Sequence, residues 1–244
     1  EKMAAVGQLA SGIAHEVKNP LGILLQSINF LEPELAARGG QAAEVLQAMR
    51  EAVPAADRII RGLLDFSKPA PLELKLTAIG PVIEAALVLV QNQLTTQQVR
   101  VAQEIPATLP RVLLDANQFQ QVLINLFLNA LHAMPQGGIL TIRCTAKRMT
   151  EPGQGVGLRA TDIFRVGDPA VVCEVQDTGV GIPKEMLPKV LNPFFTTKAP
   201  GEGVGLGLTM CDAIIKAHRG LLQLQSEPGR GTTVTMTLAQ GAAP

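Results

Sequence analysis

The sequence predicts an α+β protein in two parts. A helical hairpin pairs with a second copy to form a dimeric four-helix bundle, and a two-layer α/β sandwich follows. Three observations carry this prediction. Apolar residues at 6, 10, 13, 17, 21, 24, 28, 31 and 35 keep a mostly 4,3 spacing, which marks a helix with a coiled-coil-like seam. A second run at 46, 49, 53, 56, 60 and 63 repeats that rhythm after a turn built on Gly39 and Gly40. Beyond residue 70 the period changes, and short β-rich stretches alternate with helical ones, as in a mixed sheet with helices on one face.

Two helices joined by a short turn expose an apolar stripe too large for one pair to hide, so a homodimer is expected. Pro20 adds a residue to the seam spacing and predicts a kink just after His15, while Pro54 predicts a bend in the second helix. The prolines of residues 67–71 end the helical pattern and read as a linker, dividing the chain into residues 1–68 and 69–244. The second part is expected to run strand (Leu72 to Leu76), helix (Pro81 to Leu94), strand (Val99 to Glu104), strand (Arg111 to Leu114), helix (Ala116 to Met134) and strand (Gly138 to Ala146). After a loop rich in Gly and Thr come a strand (Ala170 to Gln176), a helix (Gly205 to Ala217) and strands at Leu221 to Gln225 and Thr232 to Leu238.

The 244 residues, 47% of them apolar, suffice for one large domain or two small ones with a proper core. Lys+Arg and Asp+Glu both number 21, and no basic run is interleaved with aromatics, which disfavours nucleic acid and anionic membranes as partners. No apolar run nears the roughly 18 residues of a membrane span and no signal peptide is visible, so a cytoplasmic location is expected. Cys144, Cys173 and Cys211 sit in apolar segments and read as reduced core residues. A start at Glu1, inside a helical pattern, suggests that an upstream sensing module precedes these residues.

Five stretches carry chemistry. His15 falls about 200° from the seam position Ile13 and so faces solvent, with Glu16 beside it to take a proton and Asn19 one turn on along the same face. That group can do nucleophilic chemistry, although histidine beside glutamate is also an ordinary solvated pair. Asn125 and Asn129 share one face of an otherwise apolar helix, where they either bond internally or offer hard oxygens to a magnesium ion that bridges to phosphate. In DTGVGIP, Asp177 stands at a strand end with Gly179 and Gly181, which either let a flat ligand such as adenine approach or make a tight turn. Phe194 and Phe195, followed by Thr196, Thr197 and Lys198, look like the hinge of a short nucleotide lid. Gly201, Gly203, Gly205 and Gly207, with Leu206 among them, precede a helix whose N-terminus and backbone N–H groups can cradle phosphates.

Taken in this order, HEVKNP, QVLINLFLNALHAMPQGG, DTGVGIP, NPFFTTK and GEGVGLGL resemble the five boxes of bacterial two-component sensor histidine kinases. The short lid and the FFTTK wording are similar to the nitrogen-regulatory class. The resemblance implies a histidine-phosphotransfer hairpin followed by an ATP-binding domain of the type shared with gyrase, Hsp90 and MutL. It further implies His15 as phosphoacceptor, Glu16 as base, Asn129 as Mg²⁺ ligand, Asp177 as adenine reader, the glycines as phosphate lid and Thr232 near the adenine. The implied partner is a response regulator receiver domain, toward which Asn19 implies phosphatase activity as well. His132 stands where the family often has a lysine that reaches phosphate. His218 has no counterpart among these boxes and is expected to be a surface histidine at a helix end. A gyrase-type ATPase clamp and a catalytically weak dimerisation scaffold are the alternatives.

Overall fold

A computed structural model describes residues 20–33, 40–50, 52–53, 56, 71–150, 164–197 and 204–241. It divides into two compact units, one of residues 1–71 with 192–206 and the other of residues 72–191 with 207–244. The expected kink at His15, the bend at Pro54 and most of the linker lie outside the described residues.

In the first unit, residues 20–33 (α1) and 41–50 (α2) are helical, with Gly40 between them at φ 73° supplying the left-handed turn residue. Glu32 and Arg50 form an ion pair across the two helices. Ile28 and Leu46 are buried, yet Leu24 and Leu31 on α1 and Met49 on α2 stay 51%, 42% and 51% exposed. Among the described residues the hairpin therefore leaves part of its seam uncovered, a stripe that a second hairpin would bury.

The second unit begins with β1 (Lys75–Thr77) and α3 (Ile79–Thr96), followed by β2 (Val99–Glu104), β3 (Val112–Leu114), α4 (Ala116–Ala133) and β4 (Gly138–Arg148). It continues through β5 (Pro169–Asp177), α5 (Gly207–Ala217), β6 (Leu221–Glu227) and β7 (Gly231–Ala239). Five strands form one sheet in the order β2-β4-β5-β7-β6, in which β2 and β4 are parallel and the remaining neighbours antiparallel. β1 and β3 make a separate antiparallel pair.

α3 starts two residues ahead of expectation because Pro81 is tolerated at its third position, where backbone N–H groups have no partner inside the helix. It ends where Gln98 turns left-handed at φ 55°. The central helix α4 buries Phe119, Val122, Leu123, Leu126, Phe127, Ala130 and Leu131, an i, i+3, i+4, i+7 stripe. These side chains pack on Leu140, Ile142 and Cys144 of β4 and on Val171, Cys173 and Val175 of β5, the alternate residues of one sheet face. Cys144 and Cys173 are directly opposed in register, and all three cysteines are buried free thiols. Among the described residues no helix is long and apolar enough to cross a membrane.

Candidate nucleotide site

The site is built around the C-terminal end of α4. Asp115 caps the other end, its Oδ1 accepting from Asn117 N at 3.0 Å and Gln118 N at 3.1 Å, so the helix starts sharply. Asn129 reaches the first residue of α5: a Cβ on Gly207 would lie 3.9 Å from its Nδ2. An asparagine amide thus stands at a helix N-terminus, where unpaired backbone N–H groups favour anions. Asn125 is one turn deeper and lies against Cys211 of α5. Its Nδ2 is buried and meets no hydrogen-bond partner among the described residues. Burial pushes the Cys211 thiol up to about 12.

The second half of the site is Asp177, buried at the end of β5. Its Oδ1 accepts from Gly179 N at 2.9 Å and Thr232 N at 3.2 Å, the two donors that it meets among the described residues. Burial raises this carboxyl above the ordinary aspartate range, and the two backbone donors only partly oppose it. Oδ2 is left to address a ligand.

The segment after Asp177 is fastened to α4, because Val180 N donates to the Ala133 carbonyl at 3.0 Å. A Cβ on Gly179 would sit 2.5 Å from that same oxygen, and one on Gly181 would sit 2.1 Å from the Glu227 carbonyl. These glycines are thus demanded first by protein backbone, a reason the sequence analysis did not anticipate. Ser226 was also missed there. Its Oγ accepts from Ile182 N at 2.8 Å, donates to the Gly231 carbonyl at 2.9 Å and lies 2.9 Å from Thr232 Oγ1, so it joins the DTGVGIP segment to Thr232. A lone strand serine gives no sequence signal, apart from facing Thr232 in register.

His132 is exposed, and its Nδ1 bonds back to the Leu128 carbonyl one turn earlier, which fixes the ring and turns Nε2 outward. His218 corrects an expectation. It is 4% exposed rather than a surface residue, with Nε2 accepting from Asp115 N at 2.9 Å and Nδ1 donating to the Ile214 carbonyl at 2.8 Å.

Residues 192–206 belong to the other unit. There Phe194 adopts φ 66°, unusual for a bulky residue, and Phe195 N donates to the Asn192 carbonyl at 3.2 Å. Gly205, at φ 71°, has no room for a side chain, since a Cβ would meet the Phe194 carbonyl carbon at 2.5 Å and the Phe195 oxygen at 2.6 Å. Thr197 is exposed and Leu206 buried. In the second unit Thr209 Oγ1 donates to the Leu191 carbonyl at 3.1 Å, which closes the base from which this segment leaves and returns. His15, Glu16, Asn19, Lys198 and Gly203 lie outside the described residues.

Asp177, Thr232 and Gly179 on one side and Asn129 with Gly207 on the other provide an acceptor, an amide and a helix N-terminus around one end of α4. Together with the orphaned amide of Asn125, that set fits a nucleotide. Among the described residues no cluster of three His, Cys, Asp or Glu side chains is placed to hold a metal by itself.

Residues 114–242 match the family described as histidine kinase-, DNA gyrase B-, and HSP90-like ATPase, and residues 5–71 match the His Kinase A (phospho-acceptor) domain. The chain belongs to that ATPase family and, with both domains in sequence, to its two-component histidine kinases. It is 33% identical over 238 residues to the sensor histidine kinase ZraS of Escherichia coli K12, a match covering 98% of this chain and 46% of that protein. This chain thus spans about half the length of that curated relative.

The fold resembles full-length ShkA solved in complex with AMPPNP, with a TM-score of 0.67 at 22% identity, covering 97% of this chain and 47% of that one. It also resembles histidine kinase ThkA solved in complex with the response regulator protein TrrA, with a TM-score of 0.64 at 22% identity, covering 99% and 64% of the two chains.

Proposed function

We propose that this chain is the catalytic core of a sensor histidine kinase that transfers the γ-phosphoryl group of ATP to His15. The observation that carries the reading is the presence, in one chain, of a phospho-acceptor match at residues 5–71 and an ATPase match at residues 114–242. The first match also argues against a gyrase-type clamp, which has no need of a phospho-acceptor histidine.

In the proposed step an imidazole nitrogen of His15 attacks the γ-phosphorus. The N–P bond forms as the bond to the β,γ-bridging oxygen breaks, ADP leaves, and Glu16 takes the imidazole proton. Asp177 Oδ2 accepts from the adenine amino group, and the buried walls around it exclude water. Asn129 would supply a side-chain oxygen to Mg²⁺, which would neutralise charge on the phosphates. Gly207 and the α5 N-terminus donate N–H groups to the same phosphates, and the family resemblance assigns Phe195, Thr197, Lys198, Gly203, Gly205 and Leu206 to the phosphate lid.

His132 presents Nε2 in place of the family's usual lysine. The phosphoryl group then passes to an aspartate of a response regulator, a partner class supported by the TrrA complex of ThkA. The uncovered seam of α1 and α2 supports a homodimer. The FFTTK segment supports the nitrogen-regulatory class, and Asn19 would orient water for dephosphorylating the partner.

The experiment is phosphorylation with γ-labelled ATP. The label should be acid-labile and alkali-stable, as a phosphoramidate is, and should vanish in His15→Gln. Full labelling of His15→Gln overturns the assignment. Asn129→Asp should lose the label while keeping its circular dichroism spectrum. Asn19→Ala should keep the label and slow dephosphorylation of a purified receiver.

A further inference from the structure

α4 and α5 touch at both ends. At one end Asn129 stands 3.9 Å from the Cβ position of Gly207. At the other, about 21 Å away along α4 at 1.5 Å per residue, the imidazole of His218 accepts the backbone N–H of Asp115 at 2.9 Å. Between them the contact is apolar, Cys211 and Ile215 packing in the same core as α4 with the Cys211 thiol 3.8 Å from the Val122 carbonyl beside the orphaned Asn125 amide. We propose that His218 is a positioning residue for the nucleotide site: by holding Asp115 N it fixes the far ends of α4 and α5 and so sets Gly207 against Asn129 at the near end.

The hydrogen bond is suited to that task. Asp115 is the N-cap of α4, so its N–H marks where that helix begins, and His218 directly follows α5, so the bond joins two helix ends rather than two flexible side chains. Nδ1 is committed to the Ile214 carbonyl at 2.8 Å, which locks the ring on its own helix and leaves Nε2 a single direction. The imidazole is 4% exposed, so no water stands in for the lost acceptor if it is removed. The Asp115 carboxylate carries a third arm, Oδ2 accepting from Glu73 N at 3.0 Å, so the clasp also holds the chain two residues past Pro71. A helix pair pinned only at its middle can slide or splay by an ångström, and a misplacement of that size at a phosphate site is costly.

The inference rests on the reading of α4 and α5 as the nucleotide site, and its test separates the two. Glutamine places its carbonyl oxygen near the position of Nε2, whereas asparagine places its amide near Nδ1 and falls short of Asp115. Binding of a fluorescent ATP analogue with Mg²⁺ is measured on the whole chain for wild type, His218→Gln, His218→Asn and Asn129→Asp, with thermal melts establishing that each is folded.

His218→Asn should weaken binding about tenfold, the scale expected of one buried hydrogen bond, while His218→Gln stays within about twofold of wild type. In labelling of His15 the asparagine variant should raise KM for ATP and leave kcat at saturation nearly unchanged. Equal affinity in the two His218 variants, whether both normal or both weakened, overturns the positioning role. If Asn129→Asp binds the analogue as wild type does, the nucleotide reading itself fails and this inference falls with it. If His218→Asn does not fold, His218→Leu, which fills the space without an acceptor, takes its place: binding weakened relative to His218→Gln supports the clasp, and equal affinity in those two overturns it.

Discussion

Asp177 Oδ1 accepts the backbone N–H of Thr232 at 3.2 Å, which ties the end of β5 to the start of β7 and leaves the second carboxylate oxygen facing the candidate site. Burial raises this carboxyl, so the folded state holds the proton more tightly than the unfolded chain does. A raised folded value contributes stability that is complete below the unfolded titration and is lost as pH rises through the folded one.

At neutral pH the ionised Asp177 therefore gives the fold nothing and costs some desolvation. Asp177→Asn keeps the acceptor for Gly179 and Thr232 but turns Oδ2 into a donor. Nucleotide affinity should fall by about 1.5–3 kcal/mol, roughly 10- to 150-fold, while the neutral-pH Tm does not fall. Binding titrations alongside melts check this, and a Tm well below wild type with affinity preserved would contradict it.

Gly231 and Gly229 make a matched pair. Both have positive φ, at 92° and 76°, but a Cβ on Gly231 would lie 1.9 Å from the Asp177 carbonyl, whereas one on Gly229 meets nothing within 4 Å. Gly229→Ala should cost only the left-handed strain, about 1–2 kcal/mol. Gly231→Ala should cost about 3 kcal/mol or more, lowering Tm by roughly 6–12 °C, because Asp177 must move. Similar melting points for the two variants would rule out this close approach.

Asp115 has the opposite sign to Asp177. Burial alone would raise its carboxyl, but backbone donors from Glu73, Gln118 and Asn117 outweigh it and hold the group below the ordinary range. A depressed folded value contributes stability above the unfolded titration, lost as pH falls through the folded one. As pH falls below about 5 the wild type should lose stability more steeply than Asp115→Asn, which gives up the acceptor for Glu73 N and should itself start about 1 kcal/mol lower at neutral pH. Parallel acid profiles from denaturant melts would refute the assignment.

The partly uncovered seam predicts self-association. Replacing Leu24 and Leu31 together by Ser should shift the chain from dimer to monomer at tens of micromolar, since each large apolar side chain buried is worth about 1.5–3 kcal/mol. Sedimentation of the variant as a dimer indistinguishable from wild type would exclude this stripe as the interface.

Much of the α/β fold was legible because its signals are local. The apolar stripe of α4 and the runs of β4 and β5 each sit within a dozen or so residues, and the elements came out within two or three residues of their expected ends. Asn129 and Gly207, singled out separately, stand together, as do Asp177 and Thr232. What was illegible depends on contacts remote in sequence. His218 looked exposed at a helix end because its partner Asp115 is 103 residues away. The glycines after Asp177 were read as room for a ligand or as a tight turn, because the carbonyls of Ala133 and Glu227 that crowd them cannot be read from the motif.

The Thr209–Leu191 hydrogen bond has an evolutionary corollary. With exit and return points pinned to each other, the intervening segment can lengthen or shorten without disturbing the sheet, because closure entropy grows only with the logarithm of length, about 0.6 kcal/mol per doubling. Insertions there are therefore close to free of selection against instability. The same position is a natural place to splice a fluorescent reporter of nucleotide occupancy into the chain.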